Sequence, residues 1–394
     1  MAIRSAKAFC EEVPAAASSS VGSLARCSES HSERDTHRVK DKYQLALPIP
    51  RSHIPVGEDS IPILKMTDWA KFIERYNLWH NLCGLKSPDH ERCKGVLKRF
   101  WERYKNIDGS HGVFHAGIPL ECTVPLVLHG DEGRSLRKTA MLVVACHSVL
   151  GHGLSTSKGK EQTAAFPQKL NYLQSTWVTR FMNAVLPRAW YSEDDGATFD
   201  CFQDVLKAVA LDINLLFEHG VDGPHGRHYY AVVRIMGDWP WIQKAGCLSR
   251  SFWNVAKRAT SGQASKGICH QCMADTGNYA WENFEDEMPP WVDSIPISTS
   301  PFWRAPALLS LEHNRTDPAG FFSWDLFHGW HLGSAKVFLG SCIAIALLSD
   351  IFEGTMDERF AAINEHYKAY CAEHKLKPYL KKITKEKLSW PATT

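Results

Sequence analysis

The chain has 394 residues, of which 44% are hydrophobic and 22% are charged, and its formal net charge is +2. These values are ordinary for a soluble globular protein and allow one large or two smaller domains. They exclude an argument for nucleic-acid binding from overall charge, so such a partner must be argued from local basic clusters. Twelve cysteines with a single Cys-x-x-Cys pair favour a reducing, intracellular compartment over a disulfide scaffold.

The N-terminal part of the chain predicts a disordered segment followed by helices. Residues 1–42 are rich in serine, alanine and mixed charge with few large apolar side chains, so we expect disorder there. Residues 43–118 combine a proline-rich linker with a helical region. Within it, residues 68–82 place apolar side chains three and four apart, which is typical of an amphipathic helix, and Asp89 caps a second helix through Tyr104.

These two helices allow further interpretations. The basic residues of the second helix would suit a helix-turn-helix that contacts DNA phosphates, although a helical pair with a solvated basic face is favoured. Cys83, His90 and Cys93 could be taken for metal ligands, but their spacing fits no standard zinc finger.

Residues 119–240 predict the first part of a sheet with acidic residues at the ends of its strands. Apolar runs bounded by turn residues indicate strands, and a stripe of apolar residues at 4-3-4-3 spacing indicates a helix. The predicted segments are strands at 123–128, 139–150 and 229–236, an irregular stretch at 151–195 and a helix at 198–219.

Asp131 and Asp238 each follow an apolar strand and sit beside a glycine whose small size leaves room for a substrate. Carboxylates at the ends of adjacent strands suit a pair of Mg²⁺ ions that clamp the attacking and leaving oxygens of a phosphodiester. Glu132 competes with Asp131 for this role, and a Gly-Asp pair taken alone is more often part of a turn. The two aspartates together predict metal-dependent phosphoryl transfer.

Residues 241–323 are interpreted as an insertion that contains half of a zinc site. Cys269 and Cys272 have the spacing of a zinc knuckle and need two more ligands for a tetrahedral Zn²⁺ site. His328 and His331 follow the insertion and are candidates to supply them, although either could be an ordinary capping or core histidine. A redox role for the two cysteines is less favoured, because they do not lie between a strand and a helix.

Residues 324–394 combine a histidine-containing segment, a closing helix and a basic tail. The apolar run at 337–348 is too short to cross a bilayer and predicts a buried helix, so we expect no membrane partner. The lysine-rich tail from His374 predicts a basic helix or a solvated segment.

Five basic residues follow the two acids closely in the sequence. Such placement suits contacts to DNA phosphates near a cleavage site, although a solvated helix face would look the same. The candidate nucleic-acid-binding residues are Arg134, Lys138, Arg250, Lys257 and Arg258.

The order of these motifs resembles that of CACTA-type cut-and-paste transposases over residues 120–350. The elements that carry the resemblance are an acid after a strand, an acid in Gly-Asp-Trp-Pro, a Cys-x-x-Cys pair and Asp-Leu-Phe-His before a helix. The resemblance implies an α/β fold with an RNase H-like mixed sheet and flanking helices. A helical N-terminal region and a zinc-binding insertion complete the expected architecture.

Carried over residue by residue, the resemblance implies Asp131 and Asp238 as the first two catalytic acids and Asp325 as the third. Asp350 and Glu353 remain alternatives for the third acid. The implied cofactors are Mg²⁺ or Mn²⁺ at the acids and Zn²⁺ at the site of cysteines and histidines.

The resemblance implies a nuclear protein that cuts and joins DNA, with a homo-oligomer as a candidate assembly. One alternative is a catalytically inactive, transposon-derived protein that binds DNA or a protein partner. Another is a plain RNase H-like nuclease, which would cut DNA without joining it.

Overall fold

The computed structural model describes most of the chain and divides it into two compact units, Met1–Ser52 and His53–Thr394. We describe each unit by itself. The described residues are 2–42, 47–56, 59–85, 87–134, 140–150, 154–155, 169–170, 180–191, 196–255, 265–283, 285–296, 299–376, 378 and 380–388.

The first unit contains three short helices. They are α1 (Ala2–Glu12), α2 (Ser20–Ala25) and α3 (Ser32–Lys42). The Ser19 side chain caps α2 by accepting hydrogen bonds from two backbone N–H groups of its first turn, and Ile3 and Ala6 are buried. The structure thus differs from the disorder that we expected for residues 1–42. The alanines of this segment have a high helix propensity, which its lack of large apolar residues does not remove.

The second unit is a mixed α/β structure with a large curled mixed sheet and flanking helices. Its helices are α4 (Met66–Arg75), α5 (Trp79–Leu82), α6 (His90–Ile107), α7 (Gly196–Glu218), α8 (Trp239–Ala245), α9 (Ala335–Leu348) and α10 (Met356–Glu373). The strands are β1 (Ser52–Val56), β2 (Asp59–Ile63), β3 (Thr123–Arg134), β4 (Ala140–Ser148), β5 (Leu154–Ser155), β6 (Lys169–Leu170), β7 (Arg180–Pro187), β8 (Val221–Gly223), β9 (Gly226–Gly237) and β10 (Phe322–Trp324).

The sheet has the strand order β1-β2-β7-β4-β3-β9-β10, with β8 paired to β9 and with β5 and β6 forming a separate pair. Strand β7 is antiparallel to β2 and β4, and β4 is antiparallel to β3. Strand β9 is parallel to β3, and β10 is parallel to β9. The register aligns Gly130 of β3 with Gly237 of β9, and Gly237 with Trp324 of β10. Residues that follow these three positions therefore lie side by side.

Several predicted elements are confirmed. Helix α7 buries its apolar stripe against the sheet, and Gly220 ends it with φ of +64°. The hairpin of β3 and β4 and the strand β9 lie where their apolar runs predicted them. Asp89 caps α6 by accepting a hydrogen bond from the backbone N–H of Arg92. These features depend on sequence patterns within a few residues of each other.

Three local predictions were wrong. The proline-rich linker contains β1 and β2, and the stretch at 151–195 contains β7, whose Ala184 pairs with Ile63 of β2. The single helix expected at 68–82 is two helices, because Asn77 between them has φ of +54°. Asn tolerates this left-handed conformation better than most residues.

Helix α9 is exposed rather than buried as predicted. Leu347 is its only buried residue, and Val337, Phe338 and Ile345 are each at least 67% exposed. With the π-helical turn before it, the helix spans Phe327–Leu348, and its 22 residues meet the length and apolarity of a membrane-crossing helix, as a core helix also does. An apolar run predicts that a helix will be covered, but it does not identify the surface that covers it.

Candidate metal centre at the ends of three parallel strands

Three aspartates follow the aligned residues of β3, β9 and β10. Asp131 comes after Gly130, Asp238 after Gly237 and Asp325 after Trp324. The backbone N–H of Asp325 donates to the carbonyl of Gly237 at 3.1 Å, which extends the pairing by one residue. The parallel register thus brings together three acids that are far apart in the sequence.

The two glycines of this edge make room for an indole ring. A Cβ at Gly130 would lie 2.2 Å from Cδ2 of Trp241, and a Cβ at Gly237 would lie 2.3 Å from Cδ1 of the same ring. Trp241 is buried beneath this edge and packs edge-on against Phe202. The space beside the aspartates, which we expected to hold a substrate, is therefore filled by the protein's own side chain.

Asp238 is both the N-cap of α8 and one of the three aspartates that the register brings together. Its Oδ1 accepts a hydrogen bond of 2.8 Å from the backbone N–H of Trp241, which fixes the carboxylate at the start of the helix. Burial raises the pKa of Asp238, the Trp241 N–H opposes that rise, and the nearby Asp131 carboxylate adds to it. A cation between the two carboxylates would remove this repulsion.

Asp325 holds His328 through two hydrogen bonds. The backbone N–H of His328 donates to Oδ1 at 2.7 Å, and ring Nδ1 lies 2.7 Å from Oδ2. Nε2 of His129 lies 3.5 Å from the same Oδ2 on the other side. Burial opposes ionisation of Asp325, but the two His328 hydrogen bonds outweigh it, so the pKa of Asp325 is lowered. Burial likewise works against the charged form of His328, yet Asp325 outweighs it and raises the pKa of His328.

Asp131, Asp238 and His328 form the donor set of the site. One ligand atom from each of the three residues lies within 4.8 Å of the other two, and theirs is the only such group within the described ranges of the chain. With Nδ1 of His328 directed at Asp325, Nε2 is the free nitrogen. An imidazole that binds a metal through one nitrogen commonly donates its other N–H to a carboxylate. These residues therefore fit a divalent metal ion.

The structure separates the alternatives for the acidic residues. Glu132 follows Asp131 on β3 and hydrogen-bonds the hydroxyl of Tyr191 at 2.7 Å, because successive side chains of a strand point to opposite faces. Asp350 and Glu353 are exposed beyond the end of α9, roughly 30 Å along the helix from the site. Of the three candidates for the third acid, Asp325 alone lies near Asp131 and Asp238, and it orients His328 instead of joining the donor set.

Cys269 and Cys272 lie next to each other, but the predicted ligands His328 and His331 do not join them. The Cys272 thiol hydrogen-bonds Cys269 and lowers the pKa of Cys269 to about 6. His328 belongs to the donor set with Asp131 and Asp238, and His331 is exposed on the same turn as His328. In the part of the chain that the structure describes, no third ligand joins the two thiols.

The knuckle is docked against the strand that precedes Asp325. Nε2 of His270, between the two cysteines, lies 2.8 Å from the carbonyl oxygen of Phe322 in β10. The Arg250 guanidinium donates to the carbonyl oxygen of Cys272 at 3.0 Å and to Oγ1 of Thr299 at 2.6 Å. Arg250 is 7% exposed, so it braces the knuckle and is not placed to contact DNA as we predicted.

The structure does not describe the side chains of the other four predicted basic residues, so their predicted contacts to phosphates stay predictions. Arg134 ends β3, but its side chain is not among those described, and Lys138, Lys257 and Arg258 lie outside the described residues. Sequence reasoning missed Arg180, which is exposed at the start of β7 in the stretch that we predicted to be irregular. Burial lowers the pKa of His129, and the charge of Arg180 lowers it further, which places Arg180 near the site.

No protein-family model matches the chain, and no curated protein matches it. Function must therefore be inferred from the geometry of the site.

Proposed function

We propose that the chain is a divalent-metal-dependent phosphodiester-cleaving enzyme of the RNase H-like, DDE/D transposase type. The observation that carries this proposal is that one ligand atom each of Asp131, Asp238 and His328 lies within 4.8 Å of the other two, where β3, β9 and β10 lie side by side. A divalent ion bound there supplies a Lewis acid for a phosphoryl oxygen and lowers the pKa of a bound water. DNA is the proposed substrate, and joining of the cut strand to a 3′-hydroxyl is the proposed second step.

The sheet supports the RNase H-like part of the proposal. Three antiparallel strands, β7, β4 and β3, are followed by two strands parallel to β3, with α7 between β7 and β9 in the sequence. This is the arrangement expected of an RNase H-like core. The first acid lies on the central strand, the second follows the neighbouring strand, and a long, mostly irregular segment separates the second from β10.

Each residue of the site has a distinct role in this proposal. Asp131 and Asp238 supply anionic oxygens, and the cap at Trp241 N–H keeps Asp238 oriented. His328 supplies a nitrogen, and Asp325 holds its ring in the tautomer that leaves Nε2 free. Two carboxylates with one imidazole suit Mn²⁺ better than Mg²⁺, because Mg²⁺ prefers an all-oxygen shell. These three residues account for one ion, and a second ion would need further ligands.

The test is nicking of a DNA duplex by the purified chain with Mn²⁺ or Mg²⁺, in the wild type and in Asp238→Asn. Asn caps a helix as well as Asp does, so the variant should fold while losing the metal-binding charge. The matched control is Asp222→Asn, an exposed aspartate of β8 that pairs with Arg227 at 2.9 Å. We expect cleavage in the wild type and the control and loss of cleavage in Asp238→Asn. Cleavage that survives in Asp238→Asn would refute the mechanism.

One observation favours a catalytically inactive descendant as the second candidate. Asp325, which the resemblance assigns as the third acid, is held by His328 and does not join the donor set. A protein that had lost strand cleavage would bind Mn²⁺ through the remaining residues without nicking DNA. Metal binding that Asp238→Asn weakens, in a chain that never nicks DNA, would support this candidate over the enzyme.

A further inference from the structure

A second group of ring nitrogens lies at the opposite end of β9 from Asp238. His228 is ten residues before Asp238 on this strand, which places the two sites roughly 30 Å apart. The group contains His228, His225 in the turn between β8 and β9, and His90 at the start of α6. It is thus separate from the proposed catalytic site.

The His228 ring is held on one face and at one nitrogen. Its side chain is 1% exposed, and the Trp79 ring stacks on it with centroids 3.8 Å apart and an angle of 15° between the planes. Nδ1 of His228 lies 2.8 Å from Oε1 of Glu74, which is itself 3% exposed. A carboxylate that accepts the N–H of one imidazole nitrogen directs the other nitrogen to act as a metal ligand.

Three ring nitrogens of this group have no hydrogen-bond partner in the part of the chain that the structure describes. Nε2 of His228 and both ring nitrogens of His90 are buried and make no hydrogen bond to the described part of the chain. Buried polar groups in folded proteins almost always have a partner, and an unpaired group needs an explanation such as a bound ion. Three such atoms on two neighbouring rings indicate a ligand between them.

The ring separations suit a shared metal ion. The centroid of His90 lies 5.6 Å from that of His228 and 4.9 Å from that of His225. Two imidazoles on one tetrahedral Zn²⁺, with Zn–N distances of about 2.0–2.1 Å, have centroids roughly 5 Å apart. His90 is therefore placed to share an ion with a ring on either side.

We propose that His90, His225 and His228 form a binding site for a divalent transition-metal ion of the Zn²⁺ class, with Glu74 positioning His228. The three imidazoles do not place one nitrogen each within 4.8 Å of the others, as Asp131, Asp238 and His328 do with their ligand atoms. Binding of one ion by all three rings therefore requires the His225 ring to turn toward the other two. His225 is free to turn, because it is exposed in a tight hairpin before Gly226, whose φ is +116°.

The chemistry of the rings selects the class of ion. Neutral imidazole is the usual ligand of Zn²⁺, Co²⁺ and Ni²⁺, whereas Mg²⁺ and Ca²⁺ prefer oxygen. Burial lowers the pKa of His90, and the charge of Lys94 lowers it further, which favours the neutral form of the ring that metal ions bind. Three imidazoles leave a fourth position of a tetrahedral ion for water or a small anion.

The test is titration of the full chain with Co²⁺, followed by calorimetry and visible absorption. His225→Ala changes an exposed ring and should leave the fold intact, and His219→Ala, another exposed histidine, is the matched control. We expect wild type and control to bind one Co²⁺ at the imidazole site with a nitrogen and oxygen spectrum, besides the ion at Asp131 and Asp238, and His225→Ala to bind the imidazole-site ion at least tenfold more weakly. His90→Ala should weaken binding equally.

Two further arms keep the outcome independent of the other proposed sites. A Cys269→Ser, Cys272→Ser variant removes any thiolate-to-Co²⁺ absorption band. Asp238→Asn removes metal binding at Asp131, Asp238 and His328. Neither variant should change the Co²⁺ signal that His225→Ala removes. If His225→Ala and His90→Ala bind Co²⁺ as the wild type does, the imidazole site is refuted. That result would leave the proposal for Asp131 and Asp238 standing.

Discussion

A Gly130→Ala substitution tests the geometry that brings the aspartates together. The added Cβ would lie 2.2 Å from Cδ2, 2.3 Å from Cε3 and 2.4 Å from Cε2 of Trp241, whereas ordinary contacts begin at 3.4 Å. The contacted atoms belong to a rigid indole that is 2% exposed and follows the Asp238 cap by three residues. Either the indole or the end of β3 must therefore move by about 1 Å.

The size of the effect follows from this overlap. Overpacking of a buried site typically costs about 1–3 kcal/mol, whereas Gly→Ala in an open strand position gains about 0.5–1 kcal/mol. Gly133 is the matched control, because it lies on the same strand and a Cβ there would meet no atom within 4 Å. Because both variants share that gain, the free energies of unfolding of Gly130→Ala and Gly133→Ala should differ by the overpacking cost alone, roughly 1–3 kcal/mol.

Urea unfolding followed by circular dichroism measures this difference. We expect a lower midpoint for Gly130→Ala at an unchanged slope, and a midpoint for Gly133→Ala at or above that of the wild type. Mn²⁺ affinity should fall in Gly130→Ala alone, because displacement of Trp241 moves the Asp238 carboxylate that its N–H holds. Equal midpoints for the two variants would show that the indole does not fill the space beside Gly130, and the reasoning would fail.

Two further predictions concern titrating groups. Asp325→Asn removes the carboxylate that raises the pKa of His328, so this ring should lose its proton at a lower pH. The pH midpoint of Mn²⁺ binding should therefore move to lower pH. The affinity for Mn²⁺ at high pH should fall about 10–100-fold, because the ring loses its orienting partner. Calorimetry across the pH range checks both changes, and a midpoint that stays in place or moves to higher pH would contradict the assignment. Cys269, with its pKa lowered to about 6 by the Cys272 thiol, should be alkylated at pH 7 faster than the buried Cys83 and more slowly below pH 6. Cys272→Ala should slow that reaction at pH 7, which peptide mass spectrometry measures, and an unchanged rate would argue against the thiol hydrogen bond.

The local elements of this fold were predictable from the sequence because their signals are local. The apolar stripe of α7, the cap of α6 at Asp89 and the apolar runs of β3 and β4 each depend on residues one to four positions apart. The acids Asp131 and Asp238 were identifiable for the same reason, since each follows an apolar strand. The disorder expected of residues 1–42 came from composition, which says little about a helix of alanine and serine.

The tertiary structure alone decided which of these residues meet. The register that aligns Gly130, Gly237 and Trp324 joins segments that are 107 and 87 residues apart in the sequence, and no pattern within a strand specifies it. That register places His328 with the two aspartates, although its position after the insertion had made it a candidate zinc ligand. Packing also filled the space beside the glycines with Trp241. Local periodicity determines which face of an element is apolar, whereas the partner of that face is set by the whole chain.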